Sequence, residues 1–420
     1  MYFSGTMAAL RFIYNLLMVL SWNGLKVVAL FKPKIRLFVS GRKKTFLELE
    51  KTLSAKDRPI WMHVASLGEF EQGLPVLEQL RSDHPNHKIV LSFFSPSGYE
   101  VKKNTPIADV VVYLPMDTLS NARRFLDAIK PDLAIFVKYE IWPNYLHELQ
   151  RRTIPTLLVS AIFSKRQIFF KPFGGYMRNS LKAFSHFFVQ NADSKKLLES
   201  IGFDNITISG DTRFDRVSQI LGRNNRLDFM DDFKGDLFCL VAGSTWPEDE
   251  EILIDYINAS QEAMKFVIAP HEIKSAHIDK LENAIHKRTV RYSKIAGTDL
   301  TEFEVILIDT IGLLTKIYSY ADIAYVGGGF ATGLHNTLEP AVYGIPVIIG
   351  PNYKGFKEAE DLVEKNGLLV IMDREGFHTV LNNFLNDSAF RKKTGEINSA
   401  YIRKNTGATN LIVGHINQLL

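Results

Sequence analysis

At 420 residues the chain is too long for one hydrophobic core and suits two domains of ordinary size. Its 46% hydrophobic and 23% charged content is that of a folded globular protein and leaves no room for a long disordered tail, while a single cysteine, Cys239, excludes a disulfide framework or a cysteine zinc site and suits a reducing compartment. The net charge of +4 is uneven: no acidic residue precedes Glu48, so Arg11, Lys26, Lys32, Lys34, Arg36, Arg42, Lys43 and Lys44 give that segment +8 and leave −4 on the rest, which points to an anionic surface as partner.

In chain order, Phe12–Leu25 comes first, uncharged but only 14 residues long and carrying Asn15 and Asn23. A spanning helix wants about 20 apolar residues, so the stretch fits a membrane-embedded or interfacial helix, and the Lys and Arg after it suit a cytoplasmic flank beside anionic headgroups. It has no small-residue cleavage site and is not read as a removed signal peptide. The alternative is an amphipathic helix packed on the following domain. The basic arm lacks the interleaved aromatics of a nucleic-acid module, so nucleic acid is not expected.

From Arg58 onward short β-branched or aromatic runs alternate with helical stretches. Predicted strands of the first half are 60–65, 89–93, 110–114, 133–137, 156–160, 187–190 and 207–209, with helices such as 73–81, 120–129 and 143–152 between them. Runs hydrophobic throughout and separated by helices predict a parallel sheet covered on both faces. The pattern pauses over the polar stretch from Phe214 to Asp236, read as an interdomain connection. It restarts with strands 237–242, 266–269, 289–292, 305–308, 323–326, 346–349 and 368–371. The expected division is an apolar and basic segment 1–47, a domain 48–215, a linker 216–236 and a domain 237–420. Two such halves would place a substrate cleft between them, beyond the carboxyl ends of their strands.

Each strand end then carries a motif with two readings. Ser66-Leu67-Gly68-Glu69 is either a tight strand-to-helix turn with a dipole-favoured carboxylate or the source of a general base, Glu69. Tyr139 to Asn144 is either a turn closed by Pro143 and aromatic packing or a second carboxylate site, Glu140. Arg213, in Gly210 to Asp215, either pairs with Asp211 or Asp215 or offsets an anionic sugar or leaving group. Ser244 either caps the helix near Pro247 or donates to a phosphate. Pro270-His271 and Asp309 to Gly312 end neighbouring strands. The triplet Gly327-Gly328-Gly329 is followed by His335 to Glu339, and Asn336 to Gly344 is predicted as a helix. Glycines and a helix start together suit a phosphate, and Glu339 suits the hydroxyls of a ribose. No metal-spaced His pair, no Asp-x-Asp and no Gly-x-Gly-x-x-Gly is present, so neither a metal nor a dinucleotide cofactor is expected.

In His63 to Glu69, Glu140 to Asn144, Gly210 to Asp215, Asp309 to Gly312 and Val326-Gly327-Gly328 through Glu339, the chain resembles the 3-deoxy-D-manno-octulosonic acid (Kdo) transferases of lipopolysaccharide synthesis. The resemblance implies an α/β protein of the GT-B type, two Rossmann-like doubly wound domains facing across a cleft, with an N-terminal membrane-associated helix. It implies an inverting glycosyltransferase on the cytoplasmic side of the inner membrane of a Gram-negative bacterium, with CMP-Kdo as donor and a lipid A precursor as acceptor. By the same likeness Glu69 is the proton acceptor, and Glu140 and Arg213 stabilise the transition state. Pro270 and His271, Ile311, Gly312 and Leu313, and Asn336, Thr337, Leu338 and Glu339 hold CMP; from the residues themselves, Gly328, Gly329 and the helix start at Asn336 are expected to receive its phosphate. Two departures stand out: Lys138, where the family often has an acidic residue, and the absence of an arginine between Pro270 and His271. Another transferase or epimerase of this fold using a UDP-sugar, or a non-catalytic nucleotide-binding membrane adaptor, is the competing reading.

Overall fold

The computed structural model describes residues 2–420, with side chains from residue 9 onward. It divides into two compact units, Met1–Arg216 with Thr406–Leu420, and Val217–Asn405. Among the described residues each unit is built on one parallel seven-stranded sheet.

The first sheet holds β1 (Ile60–Val64), β2 (Ile89–Phe93), β3 (Val110–Tyr113), β4 (Leu133–Val137), β5 (Thr156–Ala161), β6 (His186–Val189) and β7 (Ile206–Ile208), in the order β3-β2-β1-β4-β5-β6-β7. Alternate residues feed opposite cores: Trp61 packs with Phe125, Phe136 and Tyr145 on one face, and Ile60, Met62 and Val64 with Phe70, Leu77 and Phe93 on the other. Both faces are thus dry, which is why these strands read as unbroken apolar runs. The second sheet holds β8 (Phe238–Thr245), β9 (Met264–Pro270), β10 (Thr289–Arg291), β11 (Val305–Leu307), β12 (Ile323–Val326), β13 (Val347–Ile349) and β14 (Leu368–Val370), in the order β10-β11-β9-β8-β12-β13-β14. Every predicted strand is present, and the doubly wound reading of both halves holds.

In each sheet the strand order reverses once, between β1 and β4 and between β8 and β12. The connections that leave such a pair run to opposite faces, opening a crevice at the carboxyl ends of the strands.

The expected domain ends need correction. The last helix, Ala408–Ile416, buries Ile412, Val413 and Ile416 on the first sheet's core, so residues 406–420 belong to the first unit rather than to a domain 237–420. Fully burying such side chains contributes about 1.5–3 kcal/mol each. Asp215 fastens this return by accepting from the backbone N–H groups of Gly407 and Thr409. The presumed linker is partly helical, Asp228–Lys234, and Met230 and Phe233 are buried in the second unit.

The N-terminal segment forms α1 (Tyr2–Val28), α2 (Pro33–Lys43) and α3 (Thr45–Thr52), followed around the sheet by α4 (Leu67–Asp83), α5 (Pro96–Lys102), α6 (Leu119–Ile129) and α7 (Pro143–Arg151). In α1 the less exposed residues are Arg11, Tyr14, Asn15, Met18, Trp22 and Leu25, a single helical stripe that rests on the first unit. The opposite face stays apolar and exposed, with Phe12 69% and Leu20 58% accessible, as is Phe31 at 77% just beyond the helix. Among the described residues no helix is long and apolar enough to cross a membrane. Arg42, expected among the basic residues facing an anionic surface, is instead buried. Its guanidinium donates to the carbonyls of Phe38, Phe94 and Leu114, and burial pushes its pKa down to about 9.

Candidate functional site

In the first unit the strand reversal at β1 and β4 is flanked by the two carboxylates singled out from sequence. Glu69 follows β1 in the first turn of α4. Its Oε2 accepts the backbone N–H groups of Ala65 at 2.5 Å and Ser66 at 3.2 Å, so it does cap the helix. Oε1 has no hydrogen-bond partner among the described residues. The residue is only 6% exposed. Burial, then the charge of Glu140, pushes its carboxyl up to about 7, against the opposing pull of the Ala65 amide and the Lys138 ammonium. A carboxyl with that pKa is half ionised at neutral pH, the condition a general base needs.

Glu140 follows β4 and is 8% exposed. Its Oε2 accepts Trp142 Nε1–H at 2.9 Å and lies 3.3 Å from His63 Nε2. Trp142 also donates to His63 Nε2 at 3.1 Å, while Nδ1 of that ring meets the backbone oxygen of Ser92 at 3.1 Å. Nδ1 also meets the Ser92 hydroxyl at 2.9 Å. Neither His63 nor Trp142 was anticipated as part of the site. Both lie inside the motifs, yet a histidine within an apolar strand reads as core until a carboxylate appears beside it.

Arg213 opens the helix Thr212–Leu221, and its Nε donates to Asp211 at 2.8 Å. The structural reading of that motif is therefore present. Asp211 in turn accepts Gln72 Nε2 at 3.2 Å, one turn along α4 from Glu69, which ties the arginine loop to the helix of the presumed base. The guanidinium keeps 37% side-chain exposure. Lys138 has a left-handed backbone (φ 68°) at the end of β4, a conformation that costs a side-chain-bearing residue free energy and is concentrated at functional turns.

In the second unit the reversal at β8 and β12 gathers the remaining predicted residues. Ser244, also left-handed (φ 54°), is the penultimate residue of β8, where its pairing with β9 is irregular; Pro270 is the last residue of β9 and His271 follows it. Ile311, Gly312 and Leu313 form an irregular loop after β11. The glycine triplet follows β12, but its chemistry differs from the expectation. Gly328 N–H donates to the buried Asp249 carboxylate at 2.8 Å, so that donor is already used. Asp249 also accepts Trp246 N–H at 2.9 Å and Tyr325 Oη–H at 2.7 Å. Gly328 has φ 92°, and a Cβ there would meet the Gly333 carbonyl; a Cβ on Gly329 would lie 2.7 Å from the Gly350 backbone. Close packing of three strand ends, rather than a phosphate alone, thus explains the glycines.

The helix predicted from Asn336 to Gly344 is a single turn, Leu338–Ala341. Pro340 has no N–H to bond back to Asn336, and Asn336 Oδ1 instead accepts Leu338 N–H at 3.1 Å, a local bond that competes with helix. Thr337 and Leu338 are buried and serve the core, as does Pro270; the segment presents Asn336 and Glu339. Glu339 Oε1 accepts Asn336 Nδ2–H at 3.0 Å and its Oε2 accepts Thr315 Oγ1–H at 3.1 Å. Beside it stand Trp246, His271 and His335 in a stack: Trp246 and His271 centroids are 4.8 Å apart, His271 and His335 4.5 Å. Trp246 Nε1 donates to His335 Nε2 at 2.9 Å, and burial, then His271, lowers the His335 pKa, so the ring is a neutral acceptor. Only His271 of the three was anticipated. Among the described residues no group of three or more His, Cys, Asp or Glu side chains is placed to hold a metal ion.

Residues 40–216 match the family model described as 3-Deoxy-D-manno-octulosonic-acid transferase (kdotransferase). The chain is 28% identical to the 3-deoxy-D-manno-octulosonic acid transferase of Aquifex aeolicus, over 86% of this chain and 96% of that protein. It is 27% identical to the enzyme of the same name from Chlamydophila psittaci, over 82% of this chain and 79% of that one. In fold it is similar to UDP-GlcNAc 2-epimerase from Neisseria meningitidis, with a TM-score of 0.61 at 14% identity, over 86% of this chain and 100% of that one. The paired parallel sheets are those of the GT-B architecture.

Proposed function

We propose that the chain is a 3-deoxy-D-manno-octulosonic-acid transferase, like the proteins it resembles, and that it moves Kdo from CMP-Kdo to the 6′-hydroxyl of a lipid A precursor with inversion at the anomeric carbon. The observation that carries this reading is Glu69: a carboxyl at the first sheet's reversal, buried and pushed up to about 7, with one oxygen open.

Ionised Glu69 takes the proton of the acceptor hydroxyl as that oxygen forms its bond to the Kdo anomeric carbon. The bond from that carbon to the phosphate oxygen breaks on the opposite face, and its electron pair leaves with CMP. One displacement inverts configuration through a transition state of oxocarbenium character, which the Glu140 carboxylate favours. Arg213 offsets the Kdo carboxylate or the departing phosphate. Ser244, the Trp246–His271–His335 stack, the 311–313 loop, Asn336 and Glu339 receive the CMP moiety. The proton, the sugar and the leaving group are all accounted for without a cofactor or a metal.

The site of action we propose is the cytoplasmic face of the inner membrane. The outward face of α1 and Phe31 supply apolar area for the interface, and exposed Lys26, Lys32, Lys34, Arg36, Lys43 and Lys44 border it with positive charge.

Mass spectrometry of a tetraacylated lipid A precursor incubated with purified protein and CMP-Kdo tests the assignment. One or more added Kdo masses support it. Conversion of a UDP-sugar with no change in the lipid replaces it with an epimerase, and CMP binding without transfer replaces it with an adaptor.

A further inference from the structure

The N-terminal helix does more than lie on the first unit: its polar residues reach the turn that carries Glu140. Asp117, fully buried after β3, is the centre of the contact. Its Oδ2 accepts Tyr14 Oη–H from α1 at 2.8 Å and the backbone N–H of Asn144 at 3.1 Å, and its Oδ1 accepts the N–H of Tyr145 at 3.0 Å. Asn144 and Tyr145 lie in the first turn of α7, which Pro143 opens directly after Glu140, Ile141 and Trp142, so their amides are donors that a helix start leaves without a helical partner. Asn15 of α1 adds a second strut: its Oδ1 accepts Leu119 N–H at 3.0 Å and Asn144 Nδ2 at 3.2 Å. Asn144 Nδ2 also donates to the Asp117 carbonyl at 2.6 Å.

The same turn is gripped from its other side. Trp22 of α1 lies 6.5 Å from Phe38 of α2, Phe38 lies 5.2 Å from Phe94, and Phe94 packs on Trp142 at 4.6 Å. Trp142 is the donor that holds Glu140. A helix needed only as a surface anchor has no use for a buried, hydrogen-bonded carboxylate at its inner face.

We propose that Tyr14 and Asn15 of α1 are positioning residues for Glu140, acting through Asp117 and Asn144, so that docking of the N-terminal helix is part of assembling the catalytic turn. This rests on the transferase reading given above.

The test uses the full chain in detergent with a solubilised acceptor, which removes any need for a membrane surface. Tyr14→Phe, Asn15→Ala and the double variant are compared with Tyr176→Phe, whose ring sits 5.6 Å from Tyr14 but whose hydroxyl makes no bond to Asp117. Two readouts are taken, amide exchange over residues 140–145 and the split between kcat and the KM for the nucleotide sugar. In the double variant exchange rises and kcat falls about tenfold each, the size of one lost charge-assisted hydrogen bond, while KM stays within about twofold and Tyr176→Phe changes neither. Unchanged exchange overturns the proposal, as does raised exchange with wild-type kcat. Were the wild-type protein to transfer no sugar, exchange alone decides: a response keeps the brace and removes the transferase reading, and no response removes both.

Discussion

Glu140 stands across the β1–β4 reversal from Glu69, and its negative charge adds to burial in holding the proton on Glu69. The pair is asymmetric. Glu140 is bound by Trp142 and faces His63, whereas Glu69 keeps one open oxygen. A carboxylate that keeps an oxygen without a partner is placed to exchange a proton with substrate.

A base with a pKa near 7 must be ionised to act. The rate kcat/KM is therefore expected to rise about tenfold per pH unit below about 7 and to level off above it. A pH–rate profile between 5 and 9 checks this.

Glu140 and Lys138 move that limb in opposite directions. Glu140→Gln removes a charge that raises the Glu69 carboxyl, so the limb shifts to lower pH. Lys138→Asn removes a charge that lowers it, so the limb shifts to higher pH; asparagine also tolerates the left-handed backbone there. Profiles of both variants that coincide with wild type contradict the arrangement.

Asp249 is expected to hold the nucleotide side together. Asp249→Ala strands three donors, Trp246 N–H, Gly328 N–H and Tyr325 Oη–H, at about 1–3 kcal/mol each. Thermal melts should show a clear loss of stability, and calorimetry weaker CMP binding.

Much of this was legible beforehand, for reasons visible in single residues. Strands such as Ile60–Val64 and Leu133–Val137 are buried on both faces, so hydrophobicity alone marked them. Glu69 and Glu140 were found because each ends a strand, and in such sheets strand ends are where ligands go. The glycine triplet was located but misread: its spacing cannot reveal that Asp249, 79 positions earlier, takes the Gly328 N–H. The return of 408–416 to the first unit was invisible for the same reason, since an apolar helix does not state which core it joins. Arg42 reads as one more surface cation until three carbonyls are seen around it. Long-range partners were what the sequence withheld.

The apolar face of α1 is expected to bind bilayers. Sedimentation with vesicles containing anionic lipid should recover the wild-type protein, with binding weakened by salt and by a Phe12→Ser, Leu20→Ser, Phe31→Ser triple change, which removes roughly 1.5–3 kcal/mol of apolar transfer per side chain. Binding unaffected by all three changes contradicts that face as the contact.

The rate of Kdo transfer by Glu69→Gln, measured at pH 8 beside its melting temperature, bears most directly on the whole account. Glutamine still accepts the Ala65 and Ser66 amides and removes a buried charge, so the fold should be no less stable there. Turnover should nevertheless fall about 10²–10⁴-fold. Transfer within a few-fold of wild type, with an unchanged melt, would contradict Glu69 as the base.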